Sequence, residues 1–156
     1  MKNEVGKKSR AIRLTIGGAL AFVFMIVMNF LANYLPLNGI TTAEISDRYY
    51  NIFTPAGYTF IIWGVIYIAL AIWIITVIWG VGRNKERPTD IISKVGYFFI
   101  ASSVLNGIWI FTWHYDLILP SLIVMLALLL SLVFLYTRLR MSQEKGGIYL
   151  VPFSIY

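Results

Sequence analysis

Ser102, Asn106, Trp109 and Trp113 stand at i, i+4, i+7 and i+11, the spacing that gathers side chains on one face of an α-helix. The run that carries them, Val95 to Trp113, contains no charged residue. An amide such as Asn106 is costly in hydrocarbon unless it finds a partner, so it is expected to face another helix or a ligand, not lipid. With two indoles beyond it, this face could hold a flat, largely apolar molecule by stacking and a hydrogen bond. A second stripe offers a matching wall: Phe60, Trp63, Tyr67, Leu70 and Ile74, at i, i+3, i+7, i+10 and i+14. Helix–helix packing accounts for any one of these aromatics taken alone. Their number, together with Asn106, is what suggests a pocket.

The elements that must position them are apolar throughout. The chain has 156 residues, is 59% hydrophobic and has a mean hydropathy of +0.76, whereas soluble domains sit near ~45–50% apolar. Uncharged runs extend over 14–35, 57–81, 95–113 and 117–136, and each reaches the ~17–25 residues that cross a bilayer as a helix. A fifth run opens at Ile148 and is cut off at Tyr156, with Pro152 suited to an early helical turn. The first run is preceded by Lys2, Lys7, Lys8, Arg10 and Arg13, as a signal peptide would be. It is longer than the ~7–15 residues of a signal core, and no small-residue cleavage site follows it. It reads as a retained helix. Without cysteine, neither disulfides nor thiolate metal sites are available.

The net charge of +6 does not point to nucleic acid, because the cations are sorted by loop. The N-terminal tail, the 82–94 loop and the segment after the fourth run hold every Lys and Arg except Arg48. This positive-inside pattern predicts a cytoplasmic N-terminus and an outer loop over 36–56; the expected location is a plasma membrane of bacterial type.

Within that loop, Thr41-Thr42-Ala43-Glu44 matches a capping box, which predicts a short helix over about 42–50. It reads either as an interfacial anchor or as a lid over a cavity. Thr54-Pro55 resembles the start of the second spanning helix, and Gly64 is expected to let a neighbouring backbone approach. Residues 83–88 read as a solvated loop. Gly96, Ala101, Ser102, Ser103 and Gly107 form a small-residue packing surface on the third helix. The short connection His114-Tyr115-Asp116 makes the third and fourth helices antiparallel neighbours, with His114 as an interfacial polar cap.

No Asp, Glu, Lys, Arg or His lies within a spanning run. Proton-coupled transport normally needs one, so that class is disfavoured. Neither a phosphate-binding glycine loop nor a nucleophile with a matching base is present, so nothing in the residues argues for an enzyme, and His114 beside Asp116 reads as a polar cap before a metal or acid-base site.

These motifs resemble the TspO/MBR family of five-helix membrane proteins (tryptophan-rich sensory and translocator proteins). That family's second helix carries Pro followed by Trp-Gly-x-x-Tyr, as Pro55 precedes Trp63-Gly64-Val65-Ile66-Tyr67. Its third carries Asn-x-x-Trp, matched by Asn106 and Trp109, and its fifth opens on a tripeptide like Val151-Pro152-Phe153. Gly57 departs from the aromatic that the family often has two residues after the Pro, and Tyr58 follows one later. The resemblance implies a cavity for porphyrins, sterols or synthetic aromatics between helices one, two, three and five, lined here by Trp63, Tyr67, Asn106 and Trp109. Porphyrin modification is compatible with it.

The sequence is therefore read as one all-α integral membrane domain over 1–156, a bundle of five transmembrane helices, four complete and the fifth cut short. Its expected function is to sense, bind or transport hydrophobic aromatic molecules through Phe60, Trp63, Tyr67, Ser102, Asn106, Trp109 and Trp113. A porphyrin- or haem-like molecule would be a ligand, not a resident cofactor. Expected partners are the lipid bilayer, a hydrophobic small molecule and a second copy in a homodimer, with no nucleic acid. The rival reading is a structural subunit whose aromatic face packs on another membrane protein.

Overall fold

The structure is a computed structural model, which describes residues 2–35, 37–48, 61–142, 147 and 149–156. Its helices are α1 (Lys2–Asn33), α2 (Thr42–Arg48), α3 (Ile62–Gly82), α4 (Glu86–His114), α5 (Ile118–Met141) and α6 (Val151–Ile155), with a 3-10 turn over Leu37–Gly39. Four of them, α1, α3, α4 and α5, are long and apolar enough to cross a membrane. The short α6 lies where the fifth helix was expected to open.

Two helices run well past the apolar stretches that announced them. Helix α1 starts at Lys2 instead of Leu14, and α4 at Glu86 instead of Val95. Their polar first turns brace each other, with the Lys7 ammonium paired to the Asp90 carboxylate. Residues 86–88 are thus helical and not part of the expected solvated loop. The loop itself shrinks to a tight turn in which Asn84 takes a left-handed conformation (φ 56°), and the Lys85 N–H donates to the Gly80 carbonyl (2.9 Å). A Cβ on Gly80 would lie 2.3 Å from Pro88 Cγ. Pro88 is rigid and buried, so Gly80→Ala is expected to lower stability by about 1–3 kcal/mol. Gly82→Ala, which meets nothing within 4 Å, is the neutral comparison. Thermal unfolding of the two variants in detergent checks this.

Helix α4 is central. Over its most apolar stretch it is 56% buried, against 22% for α5, and it packs on α1, α3, α5 and α2. Lipid tails are as apolar as leucine, so close packing rather than water exclusion must hold these helices together. Small residues do this from both sides. On α4, Gly107 receives the Phe24 ring of α1, and on α1, Gly18 receives the Phe99 ring of α4. The expected small-residue surface of this helix is therefore its seam with α1. Nearer the basic end, Trp73 meets Phe99 (centroids 4.8 Å) and the edge of Phe153 from α6 (5.1 Å). This makes the bundle's main core, together with Leu70, Val77, Val95 and Leu135.

Helix α5 presents Leu119, Leu122, Leu126, Leu130 and Phe134 outward, as a lipid-facing scaffold would. Its turn from α4 uses Asp116 in a left-handed conformation (φ 53°). Trp79 closes α3 beneath the cations of Arg83 (4.3 Å) and Lys85 (4.0 Å). That is the amphipathic arrangement expected of an indole at a membrane interface.

Candidate functional site

The site is built on a polar chain that crosses the bundle from helix to helix. Tyr67 on α3 donates its hydroxyl proton to Asn29 Oδ1 on α1 (2.7 Å). Asn29 Nδ2 donates to Asn106 Oδ1 on α4 (2.9 Å) and also to its own helix at the Met25 carbonyl (2.9 Å). Asn106 Nδ2 in turn donates to the Tyr156 hydroxyl beyond α6 (2.9 Å). Asn106 is fully buried. Each amide thus finds the partner that an apolar interior demands, and four segments are fixed at one level.

The aromatic residues gather beside this chain. Trp63 is the hub, stacked on Tyr67 (5.9 Å) and Trp109 (6.1 Å), with Tyr156 edge-on (6.0 Å). Trp109 continues the stack to Trp113 (6.2 Å). These separations lie within the ~4.5–7 Å range of favourable ring pairs. Trp109 is held by its ring faces, since its buried indole N–H has no acceptor among the described residues.

Against these rings lies a cavity of about 640 Å³. Its walls are Ile26, Asn29 and Phe30 from α1, Trp63, Gly64 and Tyr67 from α3, and Trp109 and Ile110 from α4, with Thr42 of α2 at its rim. Gly64 does not admit a neighbouring backbone as expected. Among the described residues nothing lies within 4 Å of where its Cβ would be, and the missing side chain there leaves room in the cavity it lines.

Trp63, Tyr67 and Trp109 line this space, whereas Asn106 stands behind them as part of the polar chain. Trp113 is half-buried at the end of the stack. Ser102, one turn from Asn106, spends its hydroxyl on the Phe99 carbonyl of its own helix (3.0 Å) and does not line the cavity. Phe60 lies outside the described residues, as do Tyr58 and the far end of the short helix expected over 42–50.

The described part of that helix, α2, starts as its capping box requires. The Thr41 N–H donates to Glu44 Oε2 (2.6 Å) and the Glu44 N–H to the Thr41 hydroxyl (3.3 Å). The backbone and hydroxyl of Thr41 hold the Glu44 carboxyl below its ordinary range. Helix α2 is pinned to the bundle by a residue assigned to the interface. His114 is fully buried. Its Nδ1 lies 2.8 Å from the Ile110 carbonyl, which can only accept, so Nδ1 carries the proton. Nε2 is then the acceptor for the Thr42 hydroxyl, 3.4 Å away. The Asn38 amide donates to the His114 carbonyl (3.0 Å), and Arg48 faces Asp116 (3.6 Å).

Two central residues were missing from the sequence-derived set, Asn29 and Tyr156. Asn29 carried the same signal as Asn106, an amide inside an uncharged apolar run. Tyr156 carried none.

The family model for TSPO-like proteins matches residues 15–156. The chain belongs to this family. The match spans α1 through α6 and thus every residue of the polar chain and the ring stack. With four apolar helices, this TSPO-like chain is a multi-pass membrane protein, in a family that is broadly one of membrane ligand-binding or sensor proteins. No curated protein and no solved structure matches it.

Proposed function

We propose that this TSPO-like protein binds flat, hydrophobic aromatic molecules, porphyrin-like ones first and sterol-like ones second, and serves as their membrane sensor or transporter. The observation that carries this reading is the cavity whose wall is the Trp63–Trp109 stack. Its volume falls in the ~300–1,000 Å³ range of small-molecule sites. Its lining mixes ring faces with a few amides and hydroxyls, which suits stacking plus an orienting hydrogen bond. The described lining residues are aromatic, aliphatic, amide and hydroxyl side chains, which supports a binding role. The aromatic face is turned into the bundle against Tyr67 and Tyr156, which weighs against its serving as a docking face for another protein. The sorting of Lys and Arg supports an orientation with the N-terminus in the cytoplasm and α2 outside.

Titrating a porphyrin into the detergent-solubilised chain, read by quenching of tryptophan fluorescence, tests the reading. Quenching is expected to saturate, with affinity about tenfold weaker in Trp63→Ala and unchanged in Trp79→Ala, at the far end of the same helix. Quenching that never saturates and is equal in all three proteins would mean partition into the micelle and would sink the proposal.

A further inference from the structure

A basic cleft lies outside the aromatic cavity, at the opposite end of the bundle. Helices α4 and α5 are antiparallel neighbours, so the beginning of one apolar run meets the end of the other. Lys94 immediately precedes the run that opens at Val95, and Arg138 follows the run that closes at Tyr136. The two cations line a cleft of about 260 Å³ with Met141 and Ser142. They stand where the hydrocarbon stops, the depth of a lipid headgroup. Among the described residues neither Lys94 nor Arg138 has an ion-pair partner.

One helical turn toward the membrane centre, both helices carry an aromatic ring. Phe98 follows Lys94 by four residues, Phe134 precedes Arg138 by four, and their rings stack across the seam (5.9 Å, 26°). The i, i+4 spacing puts each ring on the same face as its cation. Phe134 is exposed, so this paired ledge continues the cleft as apolar surface toward lipid. A smaller hollow beside it shares Lys94 and Ser142, and there Lys94 and Arg87 are matched by Glu86 and Asp90. The charge that remains uncompensated is therefore on the Arg138 side.

From this juxtaposition we propose that the α4–α5 cleft binds the phosphate of an anionic membrane lipid. Lys94 and Arg138 hold the phosphate, and the Phe98–Phe134 ledge carries the glycerol and upper acyl chain. Basic pockets between transmembrane helices recognise headgroups in this way. Among its described lining residues the cleft pairs two cations with no carboxylate to receive the ammonium of a zwitterionic headgroup, which favours a net-negative lipid.

The test is native mass spectrometry of the full chain in detergent, counting retained lipid as phosphatidylglycerol or phosphatidylcholine is added. Phosphatidylglycerol is expected to bind in preference, and Lys94→Gln with Arg138→Gln to weaken it about tenfold or more. Arg83→Gln with Lys85→Gln, which removes the same charge at the end of α3, is expected to leave retention unchanged and serves as the control. Equal loss in the two double variants would show bulk electrostatics and overturn the proposal, as would equal retention of both lipids. Displacement by inorganic phosphate would overturn the lipid assignment in favour of the free ion. Phe134→Ala provides a second reading, since it keeps both cations and is expected to shorten retention of phosphatidylglycerol. Unchanged retention in that variant would overturn the role of the ledge.

Discussion

Replacing Asn29 and Asn106 together by leucine is expected to cost little more stability than replacing Asn29 alone. Asn29 is the branch point of the polar chain, accepting from Tyr67 and donating to both Asn106 and the Met25 carbonyl. Its loss strands the Tyr67 hydroxyl and the Asn106 carbonyl oxygen in an apolar interior. At about 1–3 kcal/mol for each of these two unmatched buried groups, Asn29→Leu should cost about 2–6 kcal/mol. Asn106→Leu leaves Asn29 bonded to Met25 and Tyr67, so about 1–2 kcal/mol is expected, in keeping with the modest worth of interhelical bonds in membranes. In the double variant the Asn106 amide that the first substitution stranded is gone. The two costs should therefore fail to add, by about 1 kcal/mol or more. A double-mutant cycle of unfolding in mixed micelles measures this, and additive costs would show that the two amides do not depend on each other.

The same chain shows what could be read from the sequence and what could not. The four spanning helices were legible because a soluble core has no room for so many uncharged runs of bilayer length, and the start of α2 because the box at Thr41–Glu44 is a local code. The polar extensions of α1 and α4 were not. A helix that leaves the apolar layer loses the composition that marked it, and only the pairing of Lys7 with Asp90 shows that both helices continue. The aromatic residues Trp63, Tyr67 and Trp109 could be nominated from spacing within a run. Their assembly around Trp63 depends on which helices are neighbours, and spacing within one helix is silent on that. Asn29 and Asn106 are 77 residues apart, so each could be recognised as a residue in need of a partner without either naming the other. Gly64 was misjudged for the same reason, since a missing side chain leaves either a contact or a space, and only the neighbour decides which.

The two ends of the bundle do different physical work. At the basic end cations close the helices, with Arg83 and Lys85 over Trp79 and Lys7 paired to Asp90. At the other end Arg48 is the single Lys or Arg, and among the described residues closure rests on short-range contacts to the α4–α5 turn. The aromatic cavity opens at this second end, where Thr42 reaches its rim. A site closed by a few directional bonds can open without disturbing the core around Trp73 and Phe99, and local stability is expected to be lowest where such contacts are few.

His114→Leu is therefore expected to loosen the mouth of the cavity while leaving the four long helices intact. Leucine fills comparable space but can neither accept from Thr42 nor donate to the Ile110 carbonyl, so both ring contacts are lost. The Asn38 bond remains, because it is made to the backbone of residue 114. With about 1–3 kcal/mol removed from the latch, amide exchange in Thr42–Arg48 should accelerate about tenfold or more. Exchange along α3 and the buried part of α4 should hold steady. Under the ligand reading, porphyrin release should quicken while the saturating quench of Trp63 and Trp109 persists, since the stacked wall is untouched. Uniform loss of protection across all helices would show that His114 belongs to the core and does not act as a latch. Unchanged exchange in α2 would mean that Ile45, fully buried against the bundle, holds that helix unaided.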